Sequence, residues 1–106
     1  MWEAEKSTIR MSEGDYGVAL PFSVKGVTLT ASDCIKFVFK DAPNGETILT
    51  KDYTNLTNNT ANLMLTEAES ALFEPGVYAY TMEWYQNGSF QCNLIENGVF
   101  KVGDVA

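Results

Sequence analysis

Residues 72–102 read LFEPGVYAYTMEWYQNGSFQCNLIENGVFKV: a corner, a long strand, a tight hairpin and a second long strand. Pro75-Gly76 forces a turn. From Val77 to Gln86 the residues alternate, with Tyr78, Tyr80, Met82 and Trp84 on one face and Ala79, Thr81 and Glu83 on the other. A period of two, rich in aromatics, predicts a strand with one buried face. Asn87-Gly88 follows, and both residues tolerate the positive φ of a type I′ hairpin turn. The return strand is expected to carry Phe90, Cys92 and Leu94 inward. Asn97-Gly98 then interrupts the alternation, which predicts a β-bulge that re-aims Val99, Phe100 and Val102, or else a second tight turn.

Working outward, the upstream chain reads as further strands. Glu5 to Met11 is a first strand, and Ser12-Glu13-Gly14-Asp15 is a turn. Tyr16 to Val24 is a second strand with Tyr16, Val18, Leu20, Phe22 and Val24 on one side. Pro21 cannot donate to a ladder, so that strand is at an edge, bulged or locally without a partner there. Gly26 to Asp33 is a connection with Val27 and Leu29 inward. Cys34 to Asp41 is a third strand whose Ile35, Phe37 and Phe39 face the core. After Pro43-Asn44-Gly45 comes a thin or edge strand, Glu46 to Tyr53, which alternates poorly and carries Lys51 and Asp52. Asn55 to Asn59 is a polar loop, and Thr60 to Leu65 a short strand with Leu63 and Leu65 inward. Thr66-Glu67-Ala68-Glu69 has the spacing of a capping box and opens a short helix ended by Pro75-Gly76. Seven to eight strands, with one short helix between the fifth and sixth, predict a Greek-key β-sandwich filling residues 1–106 as a single domain.

The composition narrows the chemistry. Net charge is −7, which disfavours nucleic acid and anionic membrane surfaces as partners, since both call for a basic patch. No basic segment followed by an apolar run opens the chain, so we expect no signal peptide and synthesis in a cytoplasm. With no histidine, imidazole bases and His-ligated zinc are excluded. The two cysteines, Cys34 and Cys92, are expected on opposite facings, hence reduced. No phosphate loop is present. Glu67, Glu69 and Glu74 lack the Asp-rich alternation of a calcium loop and read as a solvated face. We therefore expect no cofactor, no metal and no catalysis. Three Asn-x-Ser/Thr sequons, at Asn55, Asn58 and Asn87, read as ordinary loops. The aromatics that do not fit an inward face are Trp2, Tyr53 and Tyr85, the candidate contact residues. Trp2 sits in a short arm, residues 1–4, which either docks on a partner or frays.

Two resemblances sharpen this reading. Leu72, Pro75, Gly76 and Tyr78 lie in a segment similar to the corner before strand F of immunoglobulin-like and fibronectin-like sandwiches. The spacing of Glu74, Gly76 and Tyr78 resembles the acidic-x-Gly-x-Tyr step, with Tyr80 where the family has a disulfide cysteine. The resemblance implies that Tyr78 pins the corner through its hydroxyl; a plain core aromatic is the other reading. Over nearly the whole chain, the motif order resembles the immunoglobulin-like domain at the N-terminus of phage baseplate upper proteins and related prophage tail proteins. That order runs from Gly14-Asp15 through Leu29-Thr30, Ile35 to Lys40, Leu63 to Glu69, Pro75 to Tyr78 and Asn87-Gly88, ending with Asn97 to Val102. The resemblance implies a structural tail or baseplate module whose partners are other virion proteins or further copies of itself. The alternative is a small carbohydrate-binding or adhesin domain on the same scaffold.

Overall fold

The computed structural model describes residues 3–5, 8–17 and 19–103, the first of these segments by its backbone alone. In chain order the elements are β1 (Glu3–Glu5), β2 (Thr8–Ser12), β3 (Leu20–Ser23), β4 (Asp33–Lys40), β5 (Thr47–Thr54), β6 (Thr60–Leu63), α1 (Glu67–Ser70), β7 (Gly76–Gln86) and β8 (Ser89–Gly103). The protein is mostly β. One curled six-stranded sheet runs β1-β2-β8-β7-β4-β5, and a second, small sheet pairs β3 with β6. The large sheet is mixed: β2 runs parallel to β8, Ile9 beside Phe100 and Met11 beside Val102, and its other pairs are antiparallel.

The core lies between the two sheets. Ile35, Phe37 and Phe39 of β4 are fully buried, as their alternation predicts. Phe22 of the small sheet meets Phe37 edge to face at 5.1 Å. Phe39 packs on Tyr80, Phe73 and Phe100. Ala61, Leu63 and Leu65 close the core from the small-sheet side. The hairpin at Asn87-Gly88 has both turn residues at positive φ, 49° and 80°, and its two-residue loop joins Gln86 to Ser89. At Asn97, φ is 54° and the register of β8 shifts while the strand continues, which makes this site a bulge.

Several boundaries differ from the sequence reading. The expected first strand is two: β1 folds back on β2, and the expected arm at 1–4 includes part of β1, while Trp2 lies outside the described residues. The second strand begins at Leu20 rather than Tyr16. Gly17, at φ 80°, breaks the extended run and leaves Tyr16 exposed; Val18 lies outside the described residues. Pro21 sits opposite Asn62. The Val24 N–H bonds the Asn59 carbonyl at 2.8 Å. The alternation of an antiparallel ladder then turns the Pro21 nitrogen to the open edge of β3, where the missing donor costs nothing. β5 is an edge strand, as expected, and its eight residues lie one position later than the sequence predicts. Its alternation looks poor because Lys51, opposite Phe37, points inward. An inward charge is one of the devices that keep an edge strand from pairing with strangers.

The return strand holds the largest correction. From Gln86 to Ala79 β7 takes seven steps, while β8 takes ten from Ser89 to Val99, so β8 carries three extra residues against its partner. The first of these shifts, at Gln91, separates neighbours meant to share a face. Phe90 pairs with Tyr85 on the outer face, and Cys92 with Trp84 on the inner one. Both are exposed: the slip has turned Phe90 to the outer face, and Cys92 stands open to solvent on the inner one.

Candidate functional site

The corner is built from α1 outward. Thr66 caps the helix: its hydroxyl accepts from the Glu69 N–H at 3.2 Å, and Glu69 Oε1 accepts from the Thr66 N–H at 2.9 Å. The same Oε1 takes a 2.6 Å bond from Lys51 Nζ. Burial works to raise the Glu69 pKa, but the bonds from Lys51 and from the Thr66 backbone outweigh it and hold the carboxyl below its ordinary value. Glu69 is therefore a tie between α1 and the edge strand β5, and not the solvated residue expected. The chain then turns through Leu72, Pro75 and Gly76, all exposed. Tyr78 is half-buried, and its hydroxyl donates to the Glu74 carbonyl at 2.7 Å, an upstream-backbone bond of the kind a corner tyrosine makes. What plugs the corner is Phe73, 1% exposed, edge-on to Phe100 at 4.9 Å and to Tyr78 at 5.2 Å. Sequence reasoning passed over Phe73. The signal for it was a lone aromatic just ahead of Pro75-Gly76, where a loop has no other apolar anchor.

The candidate contact aromatics do not form one site. Tyr53 faces inward opposite Ile35, edge-on to Phe37 at 5.8 Å, and its hydroxyl accepts from the Met64 N–H at 3.1 Å. It joins the edge strand to the small sheet, which corrects its expected surface position. Its inward parity was masked by Lys51 two residues earlier. Tyr85 does lie on the outer face of the large sheet. Its hydroxyl donates to Glu83 Oε1 at 2.9 Å, and that bond pushes the phenol pKa up. Lys36 Nζ stands 4.8 Å from the ring centroid, and Phe90 lies edge-on at 5.5 Å. With an ammonium over one face of the ring, the flat stacking surface that a sugar uses is reduced. Trp2 falls outside the described residues.

Two polar residues that read as loop or connection turn out to be anchors. Asp33 is 2% exposed. It accepts from the Thr30 N–H at 2.7 Å and, on its other oxygen, from the Trp84 indole at 2.9 Å. The Thr30 backbone bond first, and the Trp84 bond second, hold its carboxyl below the ordinary value. Asn59, at φ 55°, accepts from the Leu29 N–H at 3.0 Å and donates to the Val24 and Val27 carbonyls, so one amide fastens the whole β3–β4 connection. A positive φ and three backbone partners could not be read from a run of asparagines.

Little of this is reaction chemistry. A cleft of about 320 Å³ opens between the sheets beside β3, lined by Phe22, Val24, Lys25, Met82, Leu94 and Ile95. It holds no paired carboxylates and no nucleophile with a base. Tyr80 is buried with its hydroxyl lacking a partner among the described residues, and burial pushes its pKa up to about 12, far from a working acid or base. Among the described residues no group of three or more His, Cys, Asp or Glu side chains is placed to hold a metal, and no helix is long and apolar enough to cross a membrane. Neither a protein-family model nor a curated protein matches the chain. The functional reading therefore stands on the geometry and the motif order.

Proposed function

We propose that the protein is a non-catalytic assembly module of a phage or prophage particle, a tail or baseplate component that works by protein–protein contact. The observation that carries the reading is the strand order joined to the corner. The chain changes sheet at β2–β3, β3–β4, β5–β6 and β6–β7. This is the connectivity that an immunoglobulin-like Greek-key sandwich would have, with β7 following a corner tied by Tyr78. It supports the resemblance of the motif order to the domains of phage baseplate upper proteins. The carboxylates of Asp33 and Glu69 hold loops and edges together, which fits a module that acts through its surface. Partners in this reading are other virion proteins or further copies of the chain, and it needs no cofactor.

Particles purified from the source bacterium through a density gradient test it. The protein should travel with intact particles and resist a wash of about 0.5 M salt, which screens surface charge to within about 4 Å. A protein found only in the soluble fraction of lysed cells would overturn the reading. A glycan array is the control for the sugar-binding alternative: saturable binding lost in Tyr85→Ala would support that function instead.

A further inference from the structure

Two surface patches on this chain are opposite in charge, and each exposes apolar side chains. The first is on the outer face of the large sheet, at the end where β7 begins. Register places Lys40, Ala79 and Val99 in one row across β4, β7 and β8, and Val77, Lys101 and Arg10 in the next across β7, β8 and β2. Val77, at the end of its row, is 66% exposed, while Val99 is half-buried and Ala79 buried. Three of the chain's seven basic residues thus border one apolar strip, in a protein of net charge −7. At its rim, Glu3 of β1 stands opposite Arg10.

The second patch surrounds α1. Tyr16, Met64 and Leu72 are exposed by 52%, 41% and 51%. The Gly17 N–H to Leu65 carbonyl bond, 2.9 Å, brings the Tyr16 segment beside Met64, and the Leu72 N–H to Glu69 carbonyl bond, 3.1 Å, holds Leu72 on the last turn of the helix. Glu67 and Glu74 are exposed beside them, and the Glu67 carboxylate pushes the Tyr16 phenol pKa up. Among the described residues five large apolar side chains stand exposed; three are here and Val77 is at the other patch. Exposed apolar groups rimmed by charge mark contact surfaces, and opposite potentials steer such surfaces together.

We infer that the occupant of the basic sheet patch is a second copy of this chain, docked through its acidic α1 end. The inference rests on the assembly reading above and names one partner for it. The charge argument selects the partner: a basic apolar strip on an acidic protein has a matching acidic apolar surface on the same molecule. Because the two patches are different surfaces, the contact is heterologous, and copies joined this way close into a ring or extend into a filament.

Sedimentation velocity over a concentration series tests this with four proteins. The wild type should associate at about 0.02 M salt and dissociate at about 0.5 M, where screening is strong. Lys40→Glu with Lys101→Glu, and separately Glu67→Lys with Glu74→Lys, should each weaken self-association about a hundredfold or more, the scale of two like-charge contacts. Mixing the two charge-reversed variants should restore association, because each supplies the surface the other lacks. Val77→Ser alters no charge and should also weaken the contact, and a melt of each variant checks that it is folded. A wild type that stays monomeric to about 1 mM, swaps without effect, or a mixture that fails to reassociate would overturn the inference. A monomer that still travels with phage particles would sink this contact and leave the assembly reading standing; self-association in a protein absent from particles would do the reverse.

Discussion

Phe100 and Phe90 lie on the same strand, ten residues apart, and the first is wholly buried while the second is 53% exposed. The difference teaches what alternation can and cannot say. At the near end of the β7–β8 hairpin, Tyr78 sits opposite Phe100 and Gly76 opposite Val102, under the corner and the small sheet. At the far end the same period of two continues in β7, yet β8 slips against it by three residues along its length, and the first slip, at Gln91, turns Phe90 to the outer face beside Tyr85. Period two assigns a side of the sheet. A bulge in the partner strand exchanges that side, and only the inner side meets the second sheet.

The largest test of that contrast is truncation at the two ends. Phe100→Ala should destabilise the protein by about 3–5 kcal/mol, and Phe37→Ala by a similar amount, because each leaves a cavity among packed rings. Phe90→Ala should change stability by no more than about 0.5 kcal/mol. Urea unfolding monitored by tryptophan fluorescence gives all three. Equal losses at Phe90 and Phe100 would mean that Phe90 faces the core and that the slip at Gln91 does not occur.

Next in size is the bulge that absorbs the register change. A Cβ on Gly98 would come within 2.5 Å of the Tyr80 ring, which is held by Phe39 behind it. Gly98→Ala should therefore cost about 1–3 kcal/mol, as overpacking of a filled core does. Gly103→Ala, where the nearest atom is 4.0 Å from such a Cβ, is the control and should be nearly neutral. At the corner, Tyr78→Phe keeps the ring on Phe73 and removes only the bond to Glu74. We expect a loss of about 0.5–1.5 kcal/mol, the net worth of one hydrogen bond.

The far end has its own fastening in the Asp33–Trp84 pair, and it is pH-dependent. The folded state holds the Asp33 carboxyl below its ordinary value. A depressed carboxylate gives stability that is present above its unfolded pKa, about 3.9, and is lost as pH falls through the folded value. Stability measured from pH 6 downward should fall below about pH 4, and Asp33→Asn should flatten that part of the profile. An unchanged slope in the variant would assign the acid sensitivity to other carboxylates. Because Trp84 donates directly to Asp33, its fluorescence should change over the same pH range.

Much of the near end was legible in the sequence. Ile35, Phe37 and Phe39 announced their face, Thr66 and Glu69 their capping box, and Asn87-Gly88 its turn, because each depends on neighbours close in the chain. What stayed hidden depends on partners far away. Lys51 reads as surface until Glu69 is known to stand against it, and Tyr53 as stray until Met64 offers its N–H. The inward parity of Phe90 failed at Gln91, where one extra residue exchanged the two faces. The candidate contacts were the least legible, since exposure of Val77 and Leu72 follows from which layer is missing above them.

The smallest expected effect concerns the two thiols, and it probes the same contrast without disturbing the fold. Cys34 lies on the outer face opposite Tyr85 and Thr54, and Cys92 on the inner face opposite Trp84, with β7 between their strands. Both are free. A bridge requires Cα atoms within about 7 Å and converging Cβ directions, and side chains on opposite faces of one sheet diverge. Thermal melts with and without reductant should therefore superimpose; a loss above about 2 kcal/mol on reduction would mean a native disulfide. The thiols should nonetheless differ in reactivity. Burial first, and the Asp52 charge second, push the Cys34 thiol pKa up, and a raised pKa leaves less of the nucleophilic thiolate. Cys92 is open to solvent at the uncovered end. A thiol reagent added to the folded protein at pH 8 should label one cysteine fast and one slowly, and Cys92→Ser should remove the fast phase. If Cys34→Ser removed it instead, the inner surface of the far end would be covered and the outer face open, reversing the contrast between the two ends of the hairpin.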